Sequence, residues 1–248
     1  MTESRQRLDL ALVARDLVKS RAKAQSLIAE GRVSIDGTVT TKPTRKVTAE
    51  MELTVTTPDT DWVGRGAHKL LHALEHFAID PKGRIAADIG ASTGGFCQVL
   101  LERGATRLYA VDVGHGQLDP LIAGNEHVIN LEKTNSRDLD TGLIPDPLDL
   151  IVADVSFISL QKALPAALAL AAPGAHLLAL VKPQFEVGKG NVGKGGIVRD
   201  EALVAAVPVK IESWINSLPG WTALGTIDSP IFGSDGNKEF LLGARHDS

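Results

Sequence analysis

Four charged residues stand in contexts that should bring them to one crevice. Asp154 closes the apolar run LIVADVS and Lys182 closes LALVK, so each ends a strand-like segment whose preceding residues are buried. Lys69 in RGAHKLLHAL and Glu239 in GNKEFLLG complete the set, although each alone reads as an ordinary surface charge. Two amines and two carboxylates held together can orient and move a proton. A lysine, with an ordinary pKa of about 10.4, takes a proton near neutral pH only where burial or a neighbouring cation lowers that value. In this arrangement Lys182 would act as base, and Lys69 would be that cation or steady a developing oxyanion. Asp154 would orient Lys182, and Glu239 would fix Lys69 or the substrate. Such chemistry requires no metal.

A second cluster surrounds a glycine-rich turn. RIAADIG runs into Asp88-Ile-Gly90-Ala91-Ser92-Thr93-Gly94-Gly95-Phe96, where glycines let the backbone approach a ligand at a helix N-terminus or serve tight strand–helix packing alone. Asp112, followed by Val113, tilts the balance to a ligand. It ends the next strand-like run about twenty residues on, where a carboxylate accepts hydrogen bonds from ribose hydroxyls. The spacing is G-x-x-x-G-G, so the pyrophosphate fingerprint G-x-G-x-x-G is not met. Gly188 to Gly195 follows P-loop spacing until its last position, where Gly195 replaces the Ser/Thr that would hold magnesium, so nucleotide hydrolysis is not expected. Residues 183–197, with Lys189, read as a basic glycine-rich loop beside the site or as a plain connection.

These residues need a frame. From Arg84 onward the runs RIAADIG, RLYAVDV, HVINLE, LDLIVADVS and HLLALVK alternate with helical stretches. That is the pattern of a doubly wound, mostly parallel α/β sheet, whose ligands lie beyond the carboxyl ends of the strands. A helical stretch bearing Pro208 and two further runs, WTALGTIDSPI and KEFLLGA, close it with a hairpin. Ahead of this domain stands a smaller α-then-β unit. Leu8, Ala11, Leu12 and Leu17 recur at helical spacing, a second helix follows Ser20 as N-cap and stops at Gly31, and short β runs flank an Asp36-Gly37 turn. Proline and small polar residues from Thr57 to Trp62 interrupt both periodicities. The expected organisation is therefore a head over 1–57, a linker over 58–63 and a body over 64–248.

With 44% hydrophobic and 23% charged residues, the 248-residue chain reads as globular and not as disordered. Its one cysteine, Cys97, excludes an internal disulfide framework and a thiolate-rich zinc site, and suits the cytoplasm. Charges interrupt every apolar stretch of the N-terminus, so no export signal is expected. The apolar stretch from Ala163 to Val181 is broken by Pro165, Pro173 and Gly174, which favours a helix of about ten residues, a turn and a buried strand over a membrane span. The net charge of −4 is unevenly divided: residues 1–57 hold ten of the 26 Lys/Arg and seven of the 30 Asp/Glu, making the head +3 and the remainder −7. A basic head on an acidic body suggests a reader of nucleic acid. Lys19, Arg21 and Lys23 crowd the start of the second helix, where the macrodipole is already positive. Either an anion docks there or three solvated cations are tolerated at a small cost.

The run RLDLALV…KSRAKAQSLIAEGRVSIDG, with Lys42, Arg45 and Lys46 after it, resembles the S4-like RNA-binding domain over most of residues 5–55. That resemblance implies phosphate contacts by Arg7, Lys19, Arg21, Lys23, Lys42, Arg45 and Lys46. Asp88, two positions before Gly90, resembles the first motif of S-adenosyl-L-methionine-dependent methyltransferases. It implies that Asp88 and the turn from Gly90 to Phe96 face the amino-acid end of that cofactor. Asp138, in Asn-Ser-Arg-Asp, falls in the region of the adenine or is only a helix cap. Lys69, Asp154, Lys182 and Glu239 resemble the Lys-Asp-Lys-Glu tetrad of FtsJ-like ribose 2′-O-methyltransferases. Moreover, the S4-like head, RGAHKL, DIGASTGGF, ADVSFISL, VKPQFEVG and GNKEFL recur in that order in the TlyA family, historically labelled haemolysin A. The resemblance implies a Rossmann-like domain with a seven-stranded sheet, S-adenosyl-L-methionine as cofactor with Asp154 beside it, and 2′-O-methylation of cytidine in 16S and/or 23S ribosomal RNA. Ribosomal RNA or ribosomal subunits are then the partners, with no membrane involved. Arg65, Lys189 and Phe157 join the RNA-facing set, Lys189 from a loop able to close over RNA and Phe157 by stacking on an extruded base unless it is a core residue. Transfer RNA as substrate and a catalytically silent assembly factor are the alternatives, while membrane lysis finds no amphipathic or spanning segment. One departure is Thr60, where an arginine is expected.

Overall fold

The computed structural model describes residues 5–18, 20–56, 62–233 and 235–247, with the backbone alone at Lys189. The expectations for Lys19 and Thr60 lie outside the described residues. The chain divides into two units, Met1–Asp61 and Trp62–Ser248.

The first unit comprises β1 (Gln6–Arg7), α1 (Leu8–Ala14), α2 (Arg21–Ala29), β2 (Val33–Ile35), β3 (Thr38–Val39), β4 (Lys46–Val47) and β5 (Leu53–Val55). The Ser20 side chain caps α2 by accepting the Lys23 N–H, and Gly31 ends it with φ 69°. Asp36 and Gly37 both take positive φ, 48° and 77°, which a two-residue turn between β2 and β3 requires. Leu8, Leu12, Leu27, Ile28, Val33 and Ile35 fill the core. Leu17 does not join Leu8 and Leu12 on one helical face: α1 stops at Ala14, Asp16 turns left-handed at φ 55°, and Leu17 is left partly exposed.

The second unit begins with α3 (Gly66–His76), β6 (Ile85–Ile89), α4 (Gly95–Glu102), β7 (Arg107–Val111), α5 (Pro120–Ala123), β8 (Val128–Leu131) and β9 (Leu148–Ala153). It continues with α6 (Leu160–Ala163), α7 (Pro165–Leu168), β10 (Ala171–Val181), α8 (Pro183–Glu186), α9 (Glu201–Asn216), β11 (Trp221–Asp228) and β12 (Phe240–His246). The sheet order is β11-β12-β10-β9-β6-β7-β8, and β12 alone runs antiparallel to its neighbours. Alternate strand residues enter opposite cores. Ala87, Ile89, Ile151 and Val181 meet Leu160, Ile211 and Ile215 on one face, while Ala86, Leu150, Val152 and Leu180 meet Leu70, Leu74 and Leu100 on the other.

From β6 the chain moves outward to β7 and β8, then returns to place β9 on the other side of β6. This reversal opens a crevice beyond the carboxyl ends of β6 and β9. Two expectations need correction. Trp62 and Val63 are not linker residues: both pack on the core containing Leu70 and Phe96, and the Val63 N–H donates to Gln98 Oε1. The helix of about ten residues expected in the Ala163–Val181 stretch is replaced by two short ones, α6 and α7, because Pro165 has no N–H to continue the first, and Pro173 and Gly174, expected to turn the chain, lie within β10. Among the described residues, no helix is long and apolar enough to cross a membrane.

Candidate active site

The glycine turn joins β6 to α4. Gly90 has φ 90°, and a Cβ there would lie 2.7 Å from the Asp154 carbonyl oxygen, so the two strand ends close together only over a glycine. The Asp112 carboxylate pins the turn from across the crevice, accepting from Ser92 N–H at 2.9 Å and Gly114 N–H at 2.7 Å. Ser92 itself is held at φ 47° and Phe157 at φ 67°, both left-handed. Strain of this kind clusters where a site over-determines the backbone.

Asp88 is fully buried and lines a cavity of about 280 Å³. Its Oδ2 accepts from the Cys97 thiol at 3.0 Å, while Oδ1 has no hydrogen-bond partner. Burial above all, helped by the charges of Asp154 and Asp112 and opposed by the thiol hydrogen bond, brings its carboxyl up to about 7. Burial raises the Cys97 thiol in turn. An orphaned buried carboxylate oxygen facing a cavity fits a cationic ligand group.

The same cavity gathers the four charged residues of the sequence analysis. Lys69, from the first turn of α3, pairs with Glu239 at 2.5 Å, and Lys182 pairs with Asp154 at 2.6 Å and donates to Ser156 Oγ at 2.9 Å. Both lysines and Glu239 are buried. The β10–β12 register explains the convergence. Val181 lies opposite Phe240, so the next step of that register sets Lys182 against Glu239 where both strands meet the crevice.

A second cavity of about 550 Å³ adjoins the first through Gly90, Ser92, Asp154 and Ser156. Asp112, Val113, Asn135 and Ser136 form part of its wall, with Val113 71% exposed. Asp138 is exposed and is not among the residues that line this cavity, and the cap of its short 3-10 turn is Asn135, which accepts the Arg137 N–H. Phe157 is not a core residue, being 92% exposed at the cavity rim beside Phe185, with ring centroids 5.3 Å apart.

Sequence reasoning missed several residues. Gly64 and Gly66 flank Arg65 in the reaction cavity, and a Cβ on Gly64 would meet Thr93 Oγ1 at 2.8 Å. Their glycine-x-glycine spacing was the available signal. Ser156 and Cys97 carried none. The 183–197 segment forms α8 and two short 3-10 turns, Lys189–Asn191 and Lys194–Gly196, and is tied down by buried Asn237, which donates to Gly196 O and accepts from Val198 N–H.

In the first unit, Asp9 is fully buried and gathers Arg7, which bonds it through two nitrogens at 2.9 Å, Arg21 at 3.0 Å and Gln25 at 2.9 Å. These bonds hold the Asp9 carboxyl far below the usual carboxylate range, the Arg7 contact contributing most. Lys42, Arg45 and Lys46 are exposed.

The fold and the paired charges define a methyltransferase of the FtsJ-like class. The FtsJ-like methyltransferase profile matches residues 62–246 and the S4 domain profile residues 6–53, and the chain belongs to the FtsJ-like methyltransferase family with an S4 domain ahead of it. It is 48% identical to the 16S/23S rRNA (cytidine-2'-O)-methyltransferase TlyA of Mycobacterium tuberculosis, over 97% of this chain and 90% of that one. It is 36% identical to hemolysin A of Brachyspira hyodysenteriae, over 95% and 98% of the two chains. A solved structure from Streptococcus thermophilus, provisionally named a hemolysin, matches with a TM-score of 0.74 at 33% identity, covering 100% of this chain and 90% of its own.

Proposed function

We propose that the protein transfers a methyl group from S-adenosyl-L-methionine to the ribose 2′-hydroxyl of a cytidine in ribosomal RNA, in the cytoplasm. The observation that carries this reading is the pairing of two buried lysines with two carboxylates at one end of the crevice. The relative in Mycobacterium tuberculosis is named for this reaction on 16S and 23S rRNA.

The unpaired Asp88 oxygen would take the ammonium of the cofactor's amino-acid end, Asp112 its ribose hydroxyls, and Val113 with Asn135 and Ser136 its adenine side. Bound there, the cofactor supplies a methyl group on a sulfonium, already electrophilic. The ribose hydroxyl is a poor nucleophile and must lose its proton as it attacks. Lys182 in its neutral form takes that proton, its Nζ held by Asp154 and Ser156, and becomes the ammonium that pairs with Asp154. Lys69, steadied by Glu239, supplies positive charge to the oxygen as the proton leaves. The basic head contacts RNA phosphates, with Asp9 setting Arg7 and Arg21 in a fixed fork and Lys42, Arg45 and Lys46 exposed, Lys46 opposite Arg7 in the β1–β4 pair.

The test is transfer of labelled methyl groups to ribosomal subunits from a strain lacking the enzyme, followed by nuclease digestion and nucleoside analysis. Labelled 2′-O-methylcytidine is expected. Label confined to transfer RNA would change the substrate, and no label in any RNA would refute the reading.

A further inference from the structure

A third cavity, of about 350 Å³, shares Ser156, Lys182 and Glu239 with the reaction cavity and is walled by Phe157 and Phe185. Gln184 reaches into its lining from α8, two residues after Lys182, and is 92% buried, with a relative exposure of 8%. Its Nε2 donates to Asp235 Oδ2 at 3.2 Å, and Asp235 Oδ1 accepts from the Asn237 N–H at 3.1 Å. This chain fixes which way the amide points. Reversing it would set a carbonyl oxygen against a carboxylate, two acceptors with no proton between them. The Oε1 end is therefore the one left over, and it is buried with no hydrogen-bond partner. An unpaired buried acceptor keeps its full desolvation penalty and calls for an explanation.

We propose that Gln184 Oε1 reads the base of the target nucleotide by accepting a hydrogen bond from its exocyclic amino group, so that cytidine is taken and uridine refused. The inference rests on the reading of the neighbouring lysines as a ribose 2′-O-methylation site, because the nucleotide whose ribose meets Lys182 must lodge its base close by. Cytosine carries an amino group at C4, and uracil carries a carbonyl oxygen there. The amino group completes the orphaned acceptor, whereas the carbonyl opposes it. Phe157 and Phe185 supply apolar walls for the ring.

The experiment uses the full-length protein and one RNA substrate made in three forms: with the target cytidine, with uridine in its place, and with the pyrimidin-2-one ribonucleoside that lacks only the amino group. The wild-type protein should show a kcat/KM about 10–100-fold higher for cytidine than for either replacement, the scale of one unpaired buried group. Gln184→Met, which keeps the length and removes the acceptor, should bring the three forms within about threefold while leaving cofactor affinity unchanged. Equal wild-type rates on cytidine and the amino-free analogue would overturn the proposal without any variant, as would an undiminished preference in Gln184→Met. Failure of the wild type on all three forms would instead remove the ribose-methylation reading and the proposal with it.

Discussion

Asp88→Asn isolates the most perturbed group of the crevice. In the free protein burial holds the Asp88 carboxyl at about 7 against an ordinary 3.8. About a tenth of the molecules are then ionised at pH 6 and about half at pH 7. If a cationic cofactor group binds only the carboxylate, affinity rises about fivefold over that interval, and roughly half a proton is released per cofactor bound at pH 7. The cofactor's own α-amino group, ordinarily at about 7.7–8.0, stays charged over this range and titrates identically for both proteins. Calorimetry at pH 7 in two buffers of different ionisation enthalpy reads the proton directly. Asp88→Asn should bind more weakly, by about 1–3 kcal/mol, with neither the pH slope nor the Asp88 proton. Stability follows the opposite sign. A raised carboxyl pKa favours the folded state below pH 3.8, and that contribution is lost as pH rises through about 7, on the order of 4 kcal/mol in all. Asp88→Asn should therefore flatten the stability profile of the cofactor-free protein between those limits. Affinity that is flat from pH 6 to pH 7 in the wild type, with no proton release, would refute the reasoning.

Other substitutions test the paired lysines and the division into units. Lys182→Ala should abolish methyl transfer with cofactor affinity nearly intact, and Lys182→Arg should fail almost as badly, because a guanidinium cannot accept the proton; substantial activity in the arginine variant would mean that charge alone is needed. Glu239→Ala leaves Lys69 buried without its anion, so chemical denaturation should show a loss of about 3–5 kcal/mol, and an unchanged midpoint and slope would contradict the buried-pair account. The 62–248 fragment, which keeps Trp62 and Val63 on their core, should bind cofactor normally yet methylate RNA poorly at physiological salt. Undiminished turnover would show that the basic head is dispensable.

Much of this protein was legible from local spacing. Ser20 before a helical run, Asp36-Gly37 between two β runs and the glycines after Asp88 each specify backbone angles that few other residues adopt, so the caps and turns follow from neighbours in sequence. Apolar runs of strand length ending in Asp88, Asp112, Asp154 or Lys182 likewise announce strands with polar ends, and their alternation with helical stretches announces a parallel sheet. Only tertiary structure decided which groups meet. Lys69 and Glu239 are 170 residues apart, and their pairing depends on β12 inserting antiparallel between β10 and β11. The orphaned oxygens of Asp88 and Gln184 exist only because packing closes around them. The physical division lies between dihedral preferences, which neighbouring residues impose, and desolvation with long-range register, which arises only when strands distant in sequence are packed side by side.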